Sequence, residues 1–556
     1  MRKLFIILLC CTLTLLAGYA GFRSYKVWKV KRMLGLARQF IAKSDGRNAL
    51  LSLREALASN PQNVEANRLT ADILQAARSP EALLWRSRVV ELNPKSLDDR
   101  LALVETAMML RNYPVAAHAL EGVTDEGKKT ANYHNIAGMV AVASGQLEKA
   151  QSELQEAIRL EPQNPGPLLS LSVLQIHGTN ETAIDSARIN LQQLSINPTN
   201  ASLRCQALRE LVADALHYKH EDSALALSRE LLDQTNANFD DKLLRLETLR
   251  EIRNADFNPT MAAFETEAST NSASIYALAT WQQSHGLVKE GLSWMQSLSA
   301  NVRTNQPVTL LSAESYTALK DWRGLQHSLE HQTWGDSEFI RHAFLARGLR
   351  GQELTDSSKT EWELALRAAG SQKMSRFMLL RMAAQWGWQN ETEDLLWTVI
   401  NQYPNEKWAA ETLTRILFSG GRTRSLMALF SQELKATPSD LASKNNLAMT
   451  ALLLDAKEMK PYELAREVYN KAPTNSSYVS TYAFSLLMQK KAAQALSVIE
   501  QLKAADLEDP SVCGYYGMIL EANGNRTKAR KYLDLATKAA HLPEELKLFE
   551  TAKAGA

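Results

Sequence analysis

The residues in this chain whose types and spacing could do chemistry are His327, Glu330 and His331, in the run His327-Ser328-Leu329-Glu330-His331. On a helix, H-x-x-E-H sets two imidazoles one turn apart to hold zinc, while the glutamate activates a water. A zinc hydrolase is the activity this would imply. Leu325 and Leu329 take the inward positions of the same helix, however, which turns both histidines towards solvent. No acidic third ligand is identifiable, so a plain surface helix is expected, with no metal and no cofactor. His217-Tyr218-Lys219-His220-Glu221-Asp222 could bind a metal loosely, but a polar turn between helices accounts for it. Nine of the eleven tryptophans lie between Trp281 and Trp408. Rings filling gaps in an irregular stretch explain them; an aromatic-lined groove for a peptide or glycan is the alternative.

The totals narrow the classes further. A chain of 556 residues with 63 basic and 61 acidic side chains carries a net charge of only +2. That balance implies no polyanionic partner and argues against nucleic-acid binding. Cys10 and Cys11 fall in an apolar run, and Cys205 and Cys513 stand alone. There is thus no disulfide framework and no cysteine-rich zinc module.

The elements that would have to position any site are clearest between Tyr133 and Pro162. Two blocks with helical spacing flank Ser144-Gly145, and Pro162 ends the second. Ala137 and Gly138 allow close approach of two helices, and Ala150, Leu154 and Ala157 share one face. Such a hairpin has one uncovered apolar side and must stack on copies of itself. These residues resemble the tetratricopeptide repeat (TPR), a pattern of about 34 residues with small residues where this chain has Gly138, Ala150 and Ala157, and a closing proline like Pro162. The same pattern recurs at Ala49, Leu53, Ala56 and Pro61, then at Pro94. Near the end it runs almost in lockstep: Ala483 with Gly517, Ala495 with Ala529, Ile499 with Leu533, and Leu502 with Ala536.

The expected fold is all-α, a right-handed TPR-type superhelix of about fourteen helix pairs with one N-terminal transmembrane helix. The divisions are 1–29, the anchor and its basic flank; 30–239, an N-terminal array of six pairs; 240–371, divergent helical repeats; 372–542, a C-terminal array; and 543–556, a capping helix. Leu4–Phe22 is apolar and would reach roughly 28 Å as a helix, close to a bilayer's hydrocarbon thickness. Gly18-Tyr19-Ala20 also fits a signal-peptidase site, but Arg23, Lys26, Lys29, Lys31 and Arg32 follow at once and favour a retained anchor. The same basic cluster leans towards a cytoplasmic solenoid at a bacterial inner membrane.

In TPR relatives the first helix of each pair lines the groove, and its ninth position points inward. The resemblance places Met139, Arg381, Arg415, Met449, Phe484 and Met518 there. Leu452, Leu453, Leu487 and Met488 join the last three in an adaptable apolar channel for a protein or peptide partner. The asparagine and lysine constellation that clamps a chaperone's C-terminal carboxylate is not met by Asn132, Asn135, Lys444 and Asn445. The implied function is a non-enzymatic, membrane-tethered scaffold without a small-molecule substrate, similar to bacterial TPR proteins of envelope assembly or regulation. One such family carries a four-cysteine metal module, which this chain lacks. An exported solenoid holding glycan or pilus components is the alternative.

Overall fold

The computed structural model describes residues 23–43, 45–197, 200–404 and 406–556. The expected span Leu4–Phe22 lies outside them, and so do Cys10 and Cys11. No helix among the described residues is long and apolar enough to cross a membrane.

Among the described residues the chain is helical throughout, with no strand. Successive helices are joined by short turns, and fifteen antiparallel pairs can be counted, one more than expected, before a last helix at Pro543–Gly555. The helices form two compact units, one ending at Val308 and the other spanning Thr309–Ala556. That division falls inside the divergent stretch.

Each pair is built the way the sequence suggests. Asn63, Asn112, Asn180, Asn200 and Asn475 each accept a backbone N–H of the first helical turn, satisfying a donor that has no partner within the helix. In the best-formed pair, Ala150, Leu154 and Ala157 are fully buried. Gly138 is needed there: a Cβ would stand 2.7 Å from Leu154 Cγ.

The turn inside each pair repeats as well. Gly145 has φ +71°. Its N–H donates to the Val142 carbonyl at 3.0 Å, and the Gln146 N–H donates to Ala141 at 2.8 Å, closing the helix with a left-handed residue. Arg111, Lys219 and Lys490 occupy the same place with φ of 55°, 56° and 63°. An L side chain in that region costs roughly 1–2 kcal/mol, which glycine avoids at some entropic loss. Arg111→Gly and Lys219→Gly should therefore each stabilise their repeat by about 0.5–1 kcal/mol. Slower amide exchange in the flanking helices is the readout; faster exchange would show the strain is absent.

Neighbouring pairs are also tied by ion pairs. Arg68 grips Asp99 through Nε–Oδ1 at 2.7 Å and Nη2–Oδ2 at 2.8 Å, and Arg209 grips Asp241 in the same way at 2.6 and 2.9 Å. Both links run from one first helix to the next.

Candidate partner-binding face

The structure divides the expected groove residues into two groups. Phe484 is fully buried, Met518 and Leu452 nearly so, and Met449, Leu453 and Leu487 are half-buried. They belong to one packed core with Tyr515, Tyr516 and Phe549. Phe484 lies against the Tyr515 ring at 4.9 Å, and Tyr515 against Phe549 of the last helix at 5.3 Å. The apolar channel expected there is therefore filled by the chain itself. The capping helix expected at 543–556 supplies part of that filling through Phe549. Met488, Arg381 and Arg415 remain exposed.

Open surface lies further towards the N-terminus of the same unit, on the first helices Lys373–Gln385 and Lys407–Ser419. Met374, Met378 and Arg381 follow at spacings of four and three, and so share one face; Trp408, Arg415 and Phe418 line a face of the next helix. Met374 is 76% exposed, with Met378, Trp408 and Phe418 between 38% and 45%. The two faces meet, because Trp408 packs edge-on against Phe377 at 5.3 Å. Large apolar side chains left bare together mark an interaction surface more often than scattered ones do. Met374, Met378 and Phe418 were not singled out from sequence, and Trp408 only as one end of the tryptophan-rich stretch, although their spacing from Arg381 and Arg415 was legible.

Beside this face a cleft of about 890 Å³ runs between helices Gln389–Gln402, Lys407–Ser419, Thr423–Ala436 and Leu441–Leu453. Glu411, Glu433 and Asp440 lie in its wall. Burial pushes the Glu433 carboxyl up, only partly offset by the Ser443 hydroxyl that donates to it at 3.3 Å.

The H-x-x-E-H spacing does not become a metal site. Its helix, Trp322–Leu329, ends before Glu330, so His331 is not one turn above His327. Both histidines are exposed, and Glu330 accepts a hydrogen bond from Gln326 at 2.5 Å. Among the described residues no three His, Cys, Asp or Glu side chains are grouped to hold a metal. At the 217–222 turn, Tyr218 stacks under Arg188 at 4.5 Å, and Arg188 pairs with Asp214 at 2.8 Å.

Of the nine tryptophans between 281 and 408, five fill gaps in the packing: Trp281, Trp294, Trp334, Trp362 and Trp388 are buried. Trp386 and Trp388 sit in the turn after Gln385, edge to face at 5.0 Å. Around them is an arrangement the sequence did not suggest. The Arg347 guanidinium lies 5.2, 5.7 and 5.9 Å from the rings of Trp322, Trp386 and Trp388. Its Nε is buried without a hydrogen-bond partner among the described residues. Burial, and then the neighbouring Arg350, lower its pKa. Arg350 stacks on Trp388 at 3.7 Å and is paired with Glu391.

Residues 34–96 and 101–165 match the tetratricopeptide repeat family. No curated protein matches the chain. Among solved structures, it is similar to one titled as a functional characterisation of Pseudomonas aeruginosa pilF, at 15% identity and TM-score 0.31, covering 41% of this chain and 99% of that one. An APC/C hetero-tetramer Cut9-Hcn1 structure aligns at 13% identity and TM-score 0.28, over 94% and 98% of the two chains. A structure of Naa15/Naa10 bound to HypK-THB aligns at 11% and 0.31, over 97% and 95%.

Proposed function

We propose that this chain, which carries tetratricopeptide repeats, is a non-catalytic scaffold that holds a protein partner beside a bacterial inner membrane. One observation carries the reading: the first helices Lys373–Gln385 and Lys407–Ser419 leave Met374, Met378, Trp408 and Phe418 bare, while the rest of their apolar surface is packed. A repeat array offers such a face without any other change of fold. The apolar segment Leu4–Phe22 supplies the tether, and the basic cluster that follows it favours a cytoplasmic array. Tethering raises effective concentration, so a modest groove affinity suffices for a partner that is also membrane-bound.

Two measurements test this. Photo-crosslinkers at Met374 and Trp408 should trap a discrete partner in cells, whereas the same group at exposed Leu84 should not; equal labelling at both sites would remove the binding face. Full-length chain should resist carbonate extraction, and deletion of residues 4–22 should release it. A mature chain beginning at Gly21, seen by intact mass, would instead establish a cleaved signal.

A further inference from the structure

We infer that the face of the first helices Glu338–Gly351, Lys373–Gln385 and Lys407–Ser419 takes an extended acidic protein segment that also carries large apolar side chains. The inference rests on the scaffold reading and gives its partner a chemistry.

Arg347, Arg381 and Arg415 stand 34 residues apart in succession, the length of one repeat, so they recur at one register position. None of the three makes an ion pair among the described residues, whereas Arg341 and Arg350 on the first of these helices and Arg422 in the turn after the third do. Arg347 is the most telling. Its cation is held in place by three indole rings, and its buried Nε still lacks an acceptor. An unpaired guanidinium favours a carboxylate as partner, because an ionised acceptor gives a stronger hydrogen bond than a neutral one. The face is not uniformly basic. Glu411 lies one turn before Arg415, and Glu314 is close enough that Arg381 partly offsets the rise that burial gives its pKa.

The spacing suits a polypeptide. Packed helices are about 8–10 Å apart. A polyproline II segment returns every third side chain to one side after roughly 9 Å. An acidic residue at every third position can therefore meet successive arginines, while the residues between reach Met374, Met378 and Trp408. Single-stranded nucleic acid would instead need an uninterrupted basic track with flat rings laid open for stacking. Here the interspersed glutamates and the methionines argue for protein.

The test uses the full chain in detergent and a fluorescein-labelled peptide repeating Glu-Leu-Ser, read by anisotropy. Glutamine and lysine versions of the peptide and an oligodeoxythymidylate serve as competitors. The glutamate peptide should bind about tenfold more tightly than the glutamine one, and added salt should shrink that margin. Joint Arg381→Glu and Arg415→Glu should weaken it about tenfold or more, because like charges replace opposite ones. Arg424→Glu, on the exposed side of the following second helix, should leave binding unchanged. Equal binding of the glutamate and glutamine peptides, or indifference to the double reversal, would overturn the acidic partner. If that glutamine binding were lost on Trp408→Ala, the scaffold reading would survive. Competition by the oligonucleotide as strong as by the peptide would overturn the choice of protein.

Discussion

Arg68→Ala should destabilise the repeats around Asp99 by about 3–5 kcal/mol, because it strands a buried carboxylate without its cation. Asp99 is only 3% exposed, whereas Arg68 keeps 42% of its side chain in solvent. The reciprocal change, Asp99→Ala, should thus cost less, about 1–3 kcal/mol, since Arg68 can rehydrate and the main loss is the hydrogen bonds. Those include Asn93 Nδ2, which donates to Asp99 Oδ2 at 2.9 Å. In a repeat array the damage should stay local. Amide exchange should therefore accelerate in helices Val64–Ala76 and Leu97–Met109 and leave the second unit untouched. Equal costs for the two substitutions would show that burial does not set the energetics.

The same pair has a pH signature. Burial raises the Asp99 pKa, but the bonds from Arg68, with Ser96 and Asn93, outweigh it and hold the carboxyl below the ordinary value. A carboxyl depressed in the folded state binds fewer protons there than in the unfolded chain. Its stabilisation is accordingly complete above the unfolded pKa of about 4, and is lost as pH falls through the folded value. Exchange in these helices should rise in that acid window in the native chain, and the rise should be smaller in Asp99→Ala.

How far the fold was legible depended on whether the signal was local. Small residues at close helix crossings are local: Ala150, Ala157 and Gly517 could be placed from spacing alone, and the structure buries all three. Turns were legible where glycine marks them, as at Gly145. They were hidden where Arg253, Lys320 or Glu353 takes the left-handed position, because none of these residue types marks a turn. The proposed face was half legible for a similar reason. Register placed Arg381 and Arg415 at positions the structure leaves exposed, but whether a register position is open or filled depends on what packs over it. Phe484 and Met518 occupy the same register as Arg415, yet end inside a core. Arg347 was missed although it lies one repeat before Arg381; its environment is made by three tryptophans from different turns and helix ends, which no single window of sequence brings together.

The covering of Phe484 and Met518 gives the other large effect, Phe549→Ala. Phe549 is 1% exposed and packs against Tyr515 and against His541 at 5.1 Å. Around it the last helix is pinned further: Tyr515 donates its hydroxyl proton to Glu545, Glu545 accepts the Leu542 N–H at 2.7 Å, and Thr423 donates to Glu544. Deleting the ring should cost about 3–5 kcal/mol. The loss should appear as freer exchange in Ser476–Met488 and Pro510–Ala522, with new binding of a hydrophobic dye, because Tyr515 and the apolar core behind it lose their cover. The specific test is at Gly514, where an added Cβ would meet the Phe549 ring at 2.4 Å. Gly514→Ala alone should destabilise by about 1–3 kcal/mol through overpacking. In the Phe549→Ala background the same methyl enters the vacated space and should be neutral or mildly stabilising, a coupling of about 1–3 kcal/mol. If the two substitutions simply add, the ring does not occupy the notch that Gly514 leaves, and the last helix is not what fills the expected apolar channel.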